Sequence, residues 1–200
     1  MPAAEILYLR HGETVWNRER RMQGRRDSPL TLKGIAQAAA MGRTLEGLIG
    51  KGEGFRFLSS PLGRAWATAV IVAETMGRNP SAIERVDALH EMTWGDWDGL
   101  TAAEIEAKDP ERWRARIDDR FTVAPPGGGE TQTAVVERAA GWLRALPQGA
   151  RLVVVGHGAF GRALRTAFEG AHPARMLELD EPQDAFFRLG EGGIERIPVG

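Results

Sequence analysis

The stretch Leu152-Val153-Val154-Val155 is followed directly by Gly156-His157-Gly158. A short, continuously apolar and β-branched run of this kind is typical of a central parallel strand that is buried on both faces. A second apolar run, Ile6-Leu7-Tyr8-Leu9, is followed in a similar way by Arg10-His11-Gly12. Each segment therefore combines a buried strand with a histidine and a glycine at its carboxyl end.

Segments with helical periodicity alternate with segments that read as strands. The predicted helices run from Thr31 to near Gly47 or Gly50, from Pro61 to Gly77, over 131–146 and over 160–168. The predicted strands cover 6–9, 55–58, 82–86, 152–155 and, in the tail, 186–189 and 194–199. Alternation of the two element types predicts an α/β protein with three α/β/α layers, in which helices flank a mostly parallel central sheet.

A single domain over residues 1–200 is expected, because chains divide at roughly 100–200 residues per domain. The stretch from about 90 to 130 differs from the rest, since it holds three of the six tryptophans and the run Pro125-Pro126-Gly127-Gly128-Gly129. We interpret it as a helical and loop excursion from the core that covers the active site.

The composition excludes several classes of protein. With 26 basic and 27 acidic residues the net charge is −1, which disfavours a general nucleic-acid binder. The absence of cysteine excludes disulfides, thiolate metal sites and a cysteine nucleophile. No apolar run reaches the roughly 18–20 residues of a membrane helix, and the first residues lack a basic leader. We therefore expect a cytoplasmic protein that does not bind membranes.

A third strand end adds to the two histidines. Ser59-Ser60-Pro61-Leu62-Gly63-Arg64 passes from a strand into a helix, and Arg64 falls in the first turn of that helix. The positive end of the helix dipole disfavours a cation there unless an anion or a carboxylate compensates it. Ligands of open α/β sheets bind beyond the carboxyl ends of the strands. Arg10, His11, Arg64 and His157 therefore predict a pocket for a dianion, the alternative being unrelated surface turns.

The segment Arg10-His11-Gly12-Glu13-Thr14, followed by Trp16-Asn17, resembles the signature of the histidine phosphatase superfamily, also called the phosphoglycerate mutase-like family. Further blocks of the family pattern occur in the same order along the chain. They are Met22-Gln23-Gly24, Pro29-Leu30-Thr31, Ser59-Ser60-Pro61-Leu62 with Arg64, Leu89-His90-Glu91, Gly95–Gly99 and Val155–Gly158. The resemblance extends from residue 5 to about residue 170.

The resemblance implies a phosphohistidine mechanism. His11 would be the nucleophile, and Arg10, Arg64 and His157 would hold the phosphoryl oxygens. Glu91 would protonate the leaving oxygen and then deprotonate the attacking water. The family pattern also implies phosphate or substrate contacts at further positions, which are Thr14, Asn17, Gln23, Gly24 and Gly158.

The resemblance implies neither a cofactor nor a metal, and the sequence has no His-x-x-x-His pair and no aspartate cluster with metal-ligand spacing. The expected partner is a small phosphorylated substrate. A homodimer through an unpaired edge of the C-terminal strands is left open.

The family contains phosphatases and mutases. The chain is short, and Met92–Trp97 departs from the mutase pattern, in which an arginine and a Tyr-Gly pair follow the glutamate. Trp113-Arg114-Ala115-Arg116 resembles a mutase block of substrate-binding arginines, but Ala115 interrupts the pair. We therefore expect a phosphomonoesterase. The alternatives are a cofactor-dependent phosphoglycerate mutase-type transfer and a phosphometabolite-binding protein without turnover.

Two sets of residues in the excursion have open roles. Trp94, Trp97 and Trp113 either wall a pocket for the leaving group or pack the excursion onto the core. Asp96 and Asp98 are further acid candidates, although turn residues of a Trp- and Gly-rich loop are the simpler interpretation.

Overall fold

A six-stranded sheet forms the centre of the computed structural model, which describes residues 4–200. The strands are β1 Glu5–Arg10, β2 Arg56–Ser59, β3 Glu84–Arg85, β4 Arg151–Gly156, β5 Ala185–Gly190 and β6 Gly193–Pro198. Their order in the sheet is β3-β2-β4-β1-β5-β6. The first four in this order are parallel, whereas β5 runs antiparallel to β1 and β6 runs antiparallel to β5.

The helices are α1 Val15–Arg18, α2 Leu32–Ile49, α3 Gly63–Thr75, α4 Ala102–Lys108, α5 Pro110–Asp118, α6 Gln132–Arg144 and α7 Gly158–Glu169. Short 3-10 helices cover Pro80–Ala82, Asp87–Leu89, Gly95–Trp97 and Pro173–Leu177. Within residues 4–200, none of the helices has the length and apolar character that crossing a membrane requires.

Both faces of the sheet are covered, as the apolar runs predict. Ile6 and Tyr8 of β1 belong to the core beneath α6 and α7, whereas Leu7 and Leu9 belong to the core beneath α2 and α3. All four side chains are buried, because a strand turns successive side chains to opposite faces and a helix layer covers each face. The predicted three-layer α/β/α architecture is confirmed.

Local capping explains where two long helices begin. Thr31 and Thr131 have extended backbones, and each hydroxyl accepts a hydrogen bond from the N–H three residues later. These bonds satisfy N–H groups that have no partner inside the helix. Thr31 was predicted as a cap, and its helix ends at Ile49 with Gly50 beyond it.

Two predicted boundaries are wrong. Pro61 precedes the helix, which begins at Gly63, because the Asp27 carboxylate accepts the Gly63 N–H bond and fixes the helix start from outside. The predicted strand over 82–86 is reduced to Glu84–Arg85, because Pro80–Ala82 forms a 3-10 turn. Proline suits the first position of that turn, where no N–H donor is needed.

The excursion between β3 and α6 is tied to the loop that follows α1. Gly99 N–H donates to the Met22 carbonyl at 2.6 Å, and Met22 N–H donates to Leu100 at 2.9 Å. An isolated bridge pairs Arg21 with Thr101. These contacts hold the excursion beside the carboxyl ends of β1 and β4.

Candidate active site

The register of β1 and β4 places two histidines side by side. The strands pair along their whole length, with Arg10 opposite Gly156, and His11 N–H donates to the Gly156 carbonyl at 3.0 Å. The centroids of the His11 and His157 rings are 5.3 Å apart, and the rings meet edge to face. Both side chains are buried. The two strand ends therefore contribute to one site.

β2 brings the third strand end to the other side of β4. Ser59 pairs with Val155, and Ser60 N–H donates to the Val155 carbonyl at 2.9 Å. Arg64, in the first turn of α3, reaches back so that its Nε lies 3.3 Å from His11 Nε2. Three strand ends thus bring two arginines and two histidines together, and Arg10, His11 and Arg64 line one cleft.

The cleft has a volume of about 260 Å³. Its lining comprises Arg10, His11, Asn17, Arg21, Met22, Gln23, Gly24, Arg64, Glu91, Met92, Trp94, Arg120, Gln132, Ala159, Arg162 and Glu181. Of the predicted site residues, Thr14, His157 and Gly158 are outside this lining.

The hydrogen bonds of His11 define its tautomer. Its Nδ1 lies 2.8 Å from the Gly12 carbonyl, which can only accept, so Nδ1 carries the proton. Nε2 therefore has a lone pair, and it accepts a hydrogen bond from Arg64 Nε. Burial holds the pKa of His11 well below its usual range, and the charges of Arg64 and Arg10 lower the pKa further. The imidazole is therefore neutral and carries its lone pair on Nε2, as a nucleophile requires.

His157 holds the opposite tautomer. Its Nε2 lies 2.7 Å from Ser60 Oγ, which also accepts a hydrogen bond from Leu62 N–H at 3.3 Å. Among residues 4–200 no other acceptor lies within hydrogen-bond distance of the Ser60 hydroxyl, so its proton goes to His157 Nε2 and the imidazole proton sits on Nδ1. This Nδ1 is buried and has no partner among residues 4–200. His157 therefore keeps one N–H free for an incoming acceptor.

Replacing Ser60 by alanine is expected to lower kcat/KM by roughly tenfold to a hundredfold, because a buried hydrogen bond that fixes the tautomer is lost. In ¹⁵N NMR spectra of the wild type, His157 Nδ1 should carry the proton, and in S60A the proton should redistribute towards Nε2. Ser60→Thr keeps the hydroxyl and should restore both activity and tautomer. A tautomer that is the same in S60A and wild type would contradict this role.

The two buried histidines also predict how stability depends on pH. Burial lowers the pKa of both imidazoles in the folded state, and nearby arginine charges add to this effect. In the unfolded chain each pKa returns to about 6.5, so the unfolded state binds more protons below that pH. The free energy of unfolding should therefore be level above about pH 7. It should fall below pH 6.5 by up to roughly 2.7 kcal/mol per pH unit.

Urea unfolding measured between pH 7.5 and 5 checks this dependence. His11→Asn should reduce the acid slope, whereas His172→Asn, at an exposed histidine, should leave it unchanged. An identical slope in wild type and His11→Asn would contradict the assignment of the slope to the buried imidazole.

Tyr8 fixes the backbone of the second histidine and was not singled out from the sequence. Its hydroxyl accepts from His157 N–H and donates to the His157 carbonyl, both at 2.8 Å. Burial raises the pKa of Tyr8, so the phenol stays protonated. A Cβ on Gly156 or Gly161 would lie 2.3 Å or 2.5 Å from Tyr8 atoms, so glycine is required at both positions. A tyrosine within an apolar strand is the signal that indicates this role.

Arg64 is held by an extensive set of acceptors. Its guanidinium donates to Asp27 Oδ1 at 2.9 Å, to the Gly24 carbonyl at 2.9 Å and to the Arg26 carbonyl at 2.6 Å. The same aspartate caps α3 through Gly63 N–H. The cation at a helix N-terminus is therefore compensated by a carboxylate from a loop that the sequence analysis had not connected to it.

Glu91 lies at the N-terminus of α7. Its Oε1 accepts from Phe160 N–H and Met92 N–H, both at 2.9 Å, and its Oε2 accepts from Ala159 N–H at 3.1 Å. These backbone donors position the carboxylate at the wall of the cleft, on the same helix turn that follows His157.

Thr14 and Asn17 form the capping box of α1. Thr14 is fully buried; its Oγ1 accepts from Asn17 N–H, and the side-chain Oδ1 of Asn17 accepts from Thr14 N–H. Asn17 lines the cleft, whereas Thr14 is not part of the lining and holds Asn17 through the capping box. The Gln183 amide, missed in the sequence, donates to the His11 carbonyl at 3.0 Å and approaches Asn17 Oδ1 at 3.4 Å.

The remaining predicted contacts lie at two ends of the site. Gln23 and Gly24 line the cleft. Gly24 has a φ of 51°, and the Asp98 carboxylate fills the space that a Cβ would take at this position. Gly158 lies against another carboxylate, since a Cβ there would be 2.3 Å from Glu181 Oε2. Asp98 accepts from the backbone N–H of Arg25 and Trp94, which agrees with its interpretation as a turn residue.

The three tryptophans have different environments. Trp97 is buried and meets Trp113 edge to face, with ring centroids 5.8 Å apart. Trp94 lines the cleft, with the Arg116 guanidinium 5.5 Å from its ring centroid. Trp97 and Trp113 therefore pack the excursion, and only Trp94 walls the cleft.

Comparison with known proteins shows which family the chain belongs to. Residues 6–189 match the family described as histidine phosphatase superfamily (branch 1). A phosphoglycerate mutase-like protein 4 from Arabidopsis thaliana is 37% identical over 201 residues, covering 98% of this chain and 84% of the relative. A 2,3-bisphosphoglycerate-dependent phosphoglycerate mutase from Methylobacterium radiotolerans is 34% identical, covering 87% and 83%. The structure of a mycobacterial glucosyl-3-phosphoglycerate phosphatase in complex with VO3 superposes with a TM-score of 0.74 at 29% identity, covering 97% and 96%.

Proposed function

Because the chain belongs to branch 1 of the histidine phosphatase superfamily, we propose that it hydrolyses a small phosphomonoester through a phosphohistidine on His11. The observation that carries the proposal is the tautomer of His11. Its Nδ1–H bond to the Gly12 carbonyl leaves Nε2 unprotonated, so that its lone pair can attack phosphorus once the Arg64 Nε–H has turned to the substrate.

In the first step, His11 Nε2 attacks phosphorus and the ester P–O bond breaks. Arg10, Arg64 and the free Nδ1–H of His157 stabilise the charge on the phosphoryl oxygens. In the free protein Arg64 Nε donates a hydrogen bond to His11 Nε2. When the substrate is bound, the same N–H donates to a phosphoryl oxygen instead. Glu91, in its protonated form, gives its proton to the leaving oxygen.

In the second step, water attacks the phosphohistidine and the P–N bond breaks. Glu91, now a carboxylate, accepts the proton of the water, and inorganic phosphate leaves with His11 restored. Protons and charges therefore balance over one turnover without a further reactant.

Hydrolysis is favoured over transfer by the position of the arginines in the excursion. Arg114 is exposed, and Arg116 is buried with its Nη1 on the Arg120 carbonyl; neither lines the cleft. A mutase-like pair of substrate-binding arginines is therefore not assembled here. The glucosyl-3-phosphoglycerate phosphatase supports hydrolysis by similarity, and the named mutases keep phosphoryl transfer as the second candidate.

Turnover of p-nitrophenyl phosphate, inhibited by vanadate, tests the proposal. Among residues 4–200 no group of three or more histidine, aspartate or glutamate side chains is placed to hold a metal ion, and we expect activity to persist in EDTA. Efficient formation of 2-phosphoglycerate from 3-phosphoglycerate with a bisphosphoglycerate primer would favour the mutase. Phosphate binding without any turnover would favour a binding protein. Three further points stay predictions from the sequence. They are a cytoplasmic location, the absence of nucleic-acid and membrane partners, and the possible homodimer.

A further inference from the structure

The segment 178–184, between the 3-10 helix Pro173–Leu177 and β5, lies at the rim of the cleft. Asp180 pairs with Arg165 at 3.1 Å and with Arg196 at 3.3 Å. Gln183 donates to the His11 carbonyl. Glu181 lies between these two anchored residues, and its side chain lines the cleft.

The Glu181 carboxylate lies between two guanidiniums without a hydrogen bond to either. Its Oε1 is 3.8 Å from Arg10 Nη2, and its Oε2 is 3.4 Å from Arg162 Nε. Good N–H···O hydrogen bonds are shorter, at about 2.7–3.2 Å. The Nε atoms of both arginines are buried and have no hydrogen-bond partner among residues 4–200. The Glu181 carboxylate thus compensates the charges of Arg10 and Arg162, but the Nε–H donors of both arginines stay without a hydrogen bond. A buried donor without a partner is unfavourable.

The cations of the cleft are not equally paired. Arg64 and Arg21 form close ion pairs with Asp27 and Glu104, whose side chains are outside the cleft lining. The only ion pair of Arg162 among residues 4–200 is the loose one with Glu181. Arg10 is bound to the backbone of the same residue, because its Nη1 donates to the Glu181 carbonyl, but its pairing with the Glu181 carboxylate is also loose. Arg10 and Arg162 are therefore the two cations beside this carboxylate that would gain from a closer anionic partner.

We propose that Arg162, together with Arg10, binds a second anionic group of the substrate, and that Glu181 occupies this place in the free protein. The inference rests on the proposed function and deepens it. One carboxylate already spans the two guanidiniums, so a substrate carboxylate or phosphate has the right size to do the same. Arg10 precedes His11, so this group lies a short spacer away from phosphorus. The Glu181 side chain is 38% exposed and can turn outwards.

Two ligands that differ in one group test the proposal. In 3-phosphoglycerate a carboxylate stands where glycerol 3-phosphate has a hydroxymethyl group. Both are titrated by calorimetry into the His11→Ala protein, which removes turnover. We expect 3-phosphoglycerate to bind about tenfold more tightly, the size of one charge-assisted hydrogen bond.

Variants then assign this preference to residues. In the same background, Arg162→Gln should abolish the preference. Glu181→Gln should raise it several-fold, because the internal competitor has lost its charge. Glu178→Gln is the matched control, since Glu178 lies in the same segment but pairs with Arg175 and is 68% exposed. It should leave both affinities unchanged.

Several results would overturn the proposal. These are equal affinities for the two ligands, no binding of either, an equal loss of both in Arg162→Gln, or weaker binding of both in Glu181→Gln. The last two would mean that these residues position the cleft instead of selecting a ligand. Hydrolysis of p-nitrophenyl phosphate by the protein with His11 intact tests the proposed function separately, because that ester has no second anionic group.

Discussion

His11→Ala protein should lose turnover of p-nitrophenyl phosphate by roughly 10⁴-fold or more, because the atom that attacks phosphorus is removed. The wild-type protein, quenched in denaturant during turnover, should carry a phosphoryl group that is stable in alkali and lost in acid, as expected of a phosphohistidine. The variant should carry none. Mass spectrometry of the quenched proteins measures both states.

His172→Ala is the matched control, because His172 is exposed and outside the cleft lining. It should keep wild-type turnover and phosphoenzyme. Phosphorylation of the His11→Ala protein at full rate would contradict the assignment of the nucleophile. The His11→Ala protein should still bind vanadate, because Arg10, Arg64 and His157 keep their positions.

Glu91→Gln should separate the two roles of the carboxylate. With alkyl phosphates kcat should fall by roughly 10²–10⁴-fold, because the leaving alkoxide needs a proton. p-Nitrophenolate leaves without one, so the phosphohistidine should still form from the aryl ester. Its hydrolysis should be slow, since no base activates the water. Stopped-flow measurements should therefore show a burst of nitrophenolate and an accumulated phosphoenzyme.

Asp96→Asn provides the control for this variant. Asp96 is an exposed carboxylate of the same excursion and an alternative acid on sequence grounds. It should show neither the burst nor the loss with alkyl phosphates. The opposite result, with a burst in Asp96→Asn and wild-type kinetics in Glu91→Gln, would move the acid to Asp96.

Glu91→Gln also tests how the acid is held. The carboxylate accepts three backbone N–H bonds, two of them from the first turn of α7. An amide has one accepting oxygen, so part of this cap is lost and the free energy of unfolding should fall by about 1 kcal/mol. A chemical denaturation curve shows whether the kinetic effect occurs in folded protein.

A distant residue accounts for the wrong start of α3. The start of α3 was placed at Pro61 because a proline suits a first helical turn. Asp27, 36 residues before Gly63, accepts the Gly63 N–H bond and moves the start. The same carboxylate pairs with Arg64, so the cation that suggested a bound anion also has a protein partner. Neither contact leaves a trace in the local pattern.

The sequence by itself determined the layers and the site that they build. Apolar runs define buried strands because every residue of a central parallel strand faces a helix layer. A histidine directly after such a strand must lie at the carboxyl edge of the sheet, where ligands bind. His11 and His157 therefore emerged as partners from local features alone.

The tertiary structure alone decided the chemical state of those partners. The donor that sets the tautomer of His157 is Ser60, 97 residues away, and the guanidinium against His11 Nε2 is Arg64, 53 residues away. Glu181 reaches Arg10 from 171 residues further along the chain. The pattern of apolar residues over a few positions determines which face of a strand or helix a side chain lies on, because the periodicity of the backbone is local. Hydrogen-bond partners and charge depend on which distant segments the packed sheet brings within about 3 Å.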